Sequence, residues 1–196
     1  MNLILASASP RRREILASLG VPFTVKVADA DETCHLTDPG ARVEAIAARK
    51  CEAAVAVLTH EHSEGLSADT LVLASDTLVS VGDVFLGKPA DEADARHMLE
   101  LLSGRTHQVS SGLAVWYQGR MVTAHEITEV AFAHMSEADM DAYLATKESF
   151  GKAGAYAIQG HAARYIESIR GDYFNVVGLP VHRLCRLLQE AFGISI

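Results

Sequence analysis

The opening of the chain limits the fold most. There a short apolar run is joined through serines and a proline to a segment of helical periodicity. Leu3-Ile4-Leu5-Ala6 reads as a buried strand, and Ser7-Ala8-Ser9-Pro10 as the loop that follows it. Ser9 suits an N-cap and Pro10 the first helical position, while Ile15, Leu16 and Leu19 form an apolar stripe that stops at Gly20. Strand, loop and helix in that order place the chain among α/β folds. Phe23 to Val27 alternates like a second strand, and Asp38 to Leu58 is a long alanine-rich helix with Val43, Ile46 and Ala47 on one side. His60 to Asp69 reads as an exposed loop.

Further along, Leu71-Val72-Leu73-Ala74 and Leu78-Val79-Ser80-Val81 are predicted as strands on either side of Ser75-Asp76-Thr77. Asp91 to Leu102 is predicted as a helix before Ser103-Gly104-Arg105. Val109 to Tyr117 and Met121 to Phe132 form a long hairpin, followed by a helix at Glu137 to Ala145. Gly151 to Gly160 is glycine-rich and carries no clear periodicity. Tyr165 to Ile169 reads as a strand, and Pro180 to Phe192 as a closing amphipathic helix. No repeat, low-complexity tract or linker divides the chain, so residues 1–196 are expected to form one mixed α/β domain rather than a strict βαβ array.

Charge and cysteine content narrow the function. A formal charge of −8 disfavours a polyanionic partner, so no nucleic acid is expected, whereas a small phosphorylated ligand needs only a few cations gathered locally. No apolar stretch approaches the roughly 18 residues needed to cross a bilayer, and the N-terminal run is too short for a signal h-region, so no membrane role is expected. Cys34, Cys51 and Cys185 are odd in number and widely spaced, which fits a reduced, cytoplasmic setting.

The sharpest local oddity is Arg11-Arg12-Arg13 at a helix N-terminus, where free N–H groups and the helix dipole already carry positive charge. An anion is expected there. A phosphate would satisfy amides and arginines together, with Ser7 and Ser9 as hydroxyl donors. The competing reading is a solvated basic surface, and at about 100° per residue the three arginines cannot all face one ligand. Asp76 follows an apolar strand, a place where α/β proteins present catalytic carboxylates at a sheet end. Asp29-Ala30-Asp31-Glu32 adds carboxylates able to hold magnesium through oxygen. Lys50 stands in a helix dominated by alanine, and Lys88 lies between Gly87 and Pro89 in a turn. The nine histidines form no triad or ligand set, and neither a P-loop nor a Gly-x-Gly-x-x-Gly turn is present.

In the same order, these features resemble the Maf family of nucleoside triphosphate pyrophosphatases over nearly the whole chain. The matching blocks are Leu5 to Arg12, Asp31-Glu32, Ala48-Arg49-Lys50, Ala74-Ser75-Asp76-Thr77, Leu86-Gly87-Lys88-Pro89, Ser103 to His107, Gly151 to Gly160 and Asn175 to Pro180. The resemblance implies a mixed central sheet with two lobes around a cleft, related to the inosine triphosphatase type. It also implies cleavage between the α and β phosphates, with Mg2+ or Mn2+ as cofactor.

By the same resemblance, Asp76 matches the catalytic proton acceptor, with a role as base, metal ligand or both. Glu32 matches a metal-associated carboxylate, and Ser7, Arg11, Arg12, Lys50 and Lys88 the phosphate-binding set. Ser-Asp-Thr at 75–77 together with the block ending in Gln159 looks like the subgroup acting on dTTP and UTP. The subgroup acting on 7-methyl-GTP typically has Ser-Asp-Gln. Arg11, Thr77 and Gln159 match the positions linked to that preference. A glutamine amide pairs with N3–H and O4 of uracil or thymine, and flipped it also meets cytosine. Family members are often homodimers, and the family name carries a second, non-enzymatic reading as a nucleotide-binding regulator of septum formation.

Overall fold

The computed structural model describes residues 1–62 and 65–196. Its strands are β1 (Asn2–Leu5), β2 (Phe23–Val25), β3 (Thr70–Val81), β4 (Val84–Leu86), β5 (Thr106–Tyr117), β6 (Arg120–Phe132) and β7 (Ile166–Arg170). The helices are α1 (Pro10–Ser18), α2 (Pro39–Glu61), α3 (Glu92–Leu102), α4 (Glu137–Ala145), α5 (Tyr173–Val177) and α6 (Val181–Phe192). Short 3₁₀ turns lie at Ala153–Ala155 and His161–Tyr165. The strands form one seven-stranded mixed sheet in the order β2-β1-β3-β5-β6-β7, with β4 paired to β3 off that path. β1 is parallel to both β2 and β3, whereas β4 and β7 pair antiparallel with their neighbours. This is the mixed α/β class that the sequence implied.

Two compact units divide the chain. One comprises residues 1–76, 111–126 and 178–196, the other residues 77–110 and 127–177. In the first, Ile4, Ala6, Val72 and Ala74 pack with Ala47, Cys51, Ala54 and Leu58 of α2 in a closed apolar cluster. A Cβ at Gly112 of β5 would lie 2.2 Å from the Val43 carbonyl oxygen, so α2 is seated with its backbone against the strand. In the second unit, Val79, Leu99, Leu102, Phe132, Met135 and Tyr143 belong to a separate core.

Helix starts follow local chemistry. Asp38 accepts from the Ala41 amide at 2.7 Å and Asp91 from the Asp94 amide at 2.8 Å, and Ser136 with Asp139 makes a capping box on α4. Ser9 is the N-cap of α1 as expected, yet its side chain makes no capping hydrogen bond.

Three expectations are corrected. β3 is a single twelve-residue strand that runs through Ser75, Asp76 and Thr77, so Asp76 does not sit at a strand end. Polar residues interrupt the apolar run without interrupting the backbone, because Ser75 and Asp76 find their partners from elsewhere in the fold. α2 continues past Leu58 to Glu61, where Glu61 pairs with Lys26, so His60 and Glu61 belong to the helix rather than to a loop. Ser63 and Glu64 of the expected loop lie outside the described residues. β2 stops at Val25 instead of Val27. β4, α5 and the 3₁₀ turns were not anticipated, each being too short to carry a readable period.

Candidate functional site

Parallel register gathers the first group of side chains. Leu5 pairs with Leu73 across β1 and β3, and the Ala6 amide bonds the Leu73 carbonyl at 2.7 Å, which brings the Ser7 loop level with Ser75. β2 runs parallel alongside, so the acidic segment after it leaves the same carboxyl edge of β1 and β2. Side chains alternate along β3, and Val72, Ala74 and Asp76 therefore share the face that packs on α2. On α2, Lys50 is three residues after Ala47 and four before Ala54, both buried, which aims it at that face.

Lys50 Nζ meets Asp76 Oδ1 at 2.7 Å and Glu32 Oε1 at 3.1 Å. The Lys50 and Asp76 side chains are only 19% and 14% exposed, while Glu32 remains 58% exposed. One ammonium thus holds two carboxylates, one sunk in the fold and one at the surface. Glu32 is placed through its neighbours. Arg49 Nη1 donates to the Asp31 carbonyl at 2.8 Å and the Thr33 carbonyl at 2.6 Å, bracketing Glu32. The Asp31 carboxylate accepts from the Thr33 amide at 2.8 Å, and the Thr33 backbone and side chain hold it below the usual carboxylate range.

Arg12 is buried beside this group. Its Nε donates to the Gly178 carbonyl at 2.8 Å and its Nη1 to Ser7 Oγ at 3.0 Å, and Ser75 Oγ donates to the same carbonyl at 3.3 Å. Burial lowers the affinity of this guanidinium for its proton, and Asp76 and Glu32 oppose that shift. Ser7 accepts from Arg12 and from the Ser9 amide, which leaves its O–H to donate elsewhere. α1 carries no acidic residue in its first turn, and its N-cap side chain makes no capping hydrogen bond. Arg11 is half-buried and Arg13 is exposed, so the three arginines differ as helical geometry requires.

In the second unit, Thr77 follows Asp76 on β3 and is half-buried, with its side chain on the opposite strand face. Lys88 is exposed after β4. Gln159 is exposed and lines a surface depression of about 500 Å³ with Glu148, Gly160, His161, Ala163 and Arg164.

The family model described as Maf-like protein matches residues 2–191. This chain belongs to the Maf family. Among its relatives is a dTTP/UTP pyrophosphatase of Bacillus cytotoxicus, 45% identical over 190 residues that span 96% of this chain and 95% of that protein. Proteins of the same name from Bacillus cereus and Bacillus anthracis are each 43% identical over 196 residues, covering all of this chain and 97% of theirs.

Of the residues singled out in the sequence, this Maf protein brings Ser7, Arg12, Glu32, Lys50 and Asp76 into one network within its first unit. Thr77, Lys88 and Gln159 belong to its second. Sequence reasoning gave no role to the Gly178 carbonyl, which fixes Arg12 and Ser75, or to Arg49, which fixes the Glu32 segment. Both lie inside the blocks Asn175 to Pro180 and Ala48-Arg49-Lys50, which was the available signal.

Two carboxylates held by a common ammonium mark a place where positive charge is favoured. Among the described residues, no group of three or more His, Cys, Asp or Glu side chains is placed to hold a metal ion. Asp76 and Glu32 are hard oxygen donors of the kind that suits a divalent cation bound through one or two carboxylates. They do not make an all-protein cage. No helix among the described residues is long and apolar enough to cross a membrane.

Proposed function

We propose that this Maf protein is a nucleoside triphosphate pyrophosphatase that converts dTTP and UTP to the monophosphate and pyrophosphate. The observation that carries the reading is Asp76, a mostly buried carboxylate on a rigid strand, held by Lys50 beside the buried guanidinium of Arg12. The likeness to the Bacillus dTTP/UTP pyrophosphatases over the full chain supports the substrate class. We read the whole of residues 1–196 as the catalytic unit.

Hydrolysis of the α–β bridge consumes one water, and Asp76 takes its proton. Arg12, fixed by the Gly178 carbonyl, the Ser7 O–H and the N-terminal end of α1 hold phosphate oxygens. Their charge and dipoles are already in place before the reaction and cost no reorganisation during it. Arg11 adds a half-buried cation at the same helix end. Lys50 keeps Asp76 oriented and contributes positive charge to the triphosphate. Asp76 and Glu32 would hold a divalent cation, Mg2+ or Mn2+, which supplies neutralisation of the charge on the pyrophosphate group. Lys88 is assigned to phosphate, and Thr77 and Gln159 to the base, on the match to the family's motifs.

The test is pyrophosphate release by the purified protein from a panel of triphosphates at equal concentration, with and without magnesium. Preference for dTTP and UTP with dependence on the cation is expected. Absence of pyrophosphate release from every nucleotide would overturn the activity, and preference for 7-methyl-GTP or inosine triphosphate would overturn the base assignment alone.

A further inference from the structure

The residue after Gln159 is a glycine for a reason visible in the packing. A Cβ at Gly160 would lie 2.0 Å from Glu148 Oε2 and 2.5 Å from Oε1, so the backbone here is drawn directly onto a carboxylate. Glu148 follows α4 by three residues, and both of its carboxylate oxygens accept hydrogen bonds. Oε2 accepts from the His161 amide at 2.9 Å. Oε1 accepts from Tyr143 Oη at 2.9 Å and from the Ala162 amide at 3.5 Å. Burial works against the charge, yet the two amides and the tyrosine outweigh it and hold the carboxyl below its usual range. Tyr143 is itself buried in the core, so the clasp is anchored to a rigid element. Lys152 Nζ further ties the segment by donating to the Glu148 carbonyl at 2.7 Å.

We infer that Glu148 is a positioning residue for base selection, clasping the turn at Gly160–Ala162 so that the Gln159 amide is presented to the pyrimidine. This rests on the reading of Gln159 given above. Glu148 and Gln159 line the same depression, and the exposed Gln159 lies inside a turn closed by the Gly160 amide on the Ala157 carbonyl at 3.2 Å, directly before the clasped residues. Its direction is inherited from the clasped turn that begins at the next residue. A glutamine that pairs with a base edge needs its amide fixed within a fraction of an ångström, and an anchored backbone provides this.

The experiment is a double-mutant cycle on the intact protein, with Glu148→Gln and Gln159→Ala singly and combined. The readout is the ratio of kcat/KM for dTTP to that for a purine triphosphate. Glu148→Gln keeps the size of the side chain but removes its charge. It should lower the ratio on the order of 10-fold, and it should lower it no further once Gln159 is alanine. A separate readout independent of activity is thermal stability. Gly160→Ala should lower the unfolding midpoint in the natural background, and Glu148→Ala should relieve that loss by removing the carboxylate the methyl meets. An equal loss for all nucleotides, or a selectivity loss that adds undiminished to that of Gln159→Ala, would overturn the inference and leave the base reading intact. If Gln159→Ala alone leaves the ratio unchanged, the base reading itself falls and this inference falls with it. If Glu148→Ala fails to relieve Gly160→Ala, the clasp is refuted directly.

Discussion

Replacing Asp76 with asparagine separates chemistry from scaffolding at the centre of the network. The substitution preserves shape and an acceptor oxygen toward Lys50 while removing one charge. At 2.7 Å the gross attraction between Lys50 and Asp76 is about 6 kcal/mol at an effective dielectric of 20, but desolvation of both groups offsets most of it. Lys50 keeps Glu32 at 3.1 Å, and the amide oxygen still accepts, so the net loss of stability should be about 1 to 2 kcal/mol. For a chain of this length that corresponds to a drop in Tm of roughly 2 to 8 °C. Turnover should fall far more, on the order of 10² to 10⁴, because a neutral amide cannot take a proton from water or ligate a cation as a carboxylate does. Pyrophosphate release, thermal unfolding and nucleotide binding on one preparation make the comparison. Nucleotide binding should survive in part. Wild-type turnover in a folded Asp76→Asn protein would refute the role of this carboxylate, and a collapse of Tm that accounts for the whole activity loss would assign it to structure instead.

Alanine at Arg11, Arg12 and Arg13 should give graded losses in kcat/KM. Arg12 should lose most, and also lose stability, because it alone is buried and bonded to Gly178 and Ser7; equal small effects at all three would identify a solvated basic surface. Gln159→Ala should cost about 1 to 3 kcal/mol in transition-state binding of dTTP and UTP and much less for purine triphosphates, measured as kcat/KM across the panel. A uniform loss would move Gln159 to the phosphates. His107 is buried, with Nε2 bonded to Tyr156 Oη at 2.8 Å, and burial pushes its pKa from 6.5 down to about 4. The unfolded chain therefore takes up this proton first as pH falls. His107 should cost about 3 kcal/mol of stability between pH 6.5 and 4, with no such contribution above pH 6.5. Urea unfolding of His107→Gln should show a shallower decline over that window, and an unchanged slope would show that other groups set it.

The local chemistry of the chain determined much of this protein. Ser9-Pro10 began α1, Asp38 and Asp91 capped their helices, and the alanine-rich period of α2 set which side is buried, because caps and periodicity depend on residues a few positions apart. The ordered motif blocks identified the family and named the candidate residues. What the sequence could not supply is pairing across distance. The polar triplet at 75–77 looked like the end of a strand, and only the arrival of Lys50 from α2 and of the Gly178 carbonyl from just before α6 shows how β3 carries those residues without breaking. Three successive arginines looked alike, and only packing separates the buried Arg12 from the exposed Arg13. The carboxylate of Glu148 had no visible purpose until its distance to Gly160, His161 and Ala162 was known. In each case, burial creates a demand for a partner that is remote in sequence, and parallel register and helix seating decide which partner meets it.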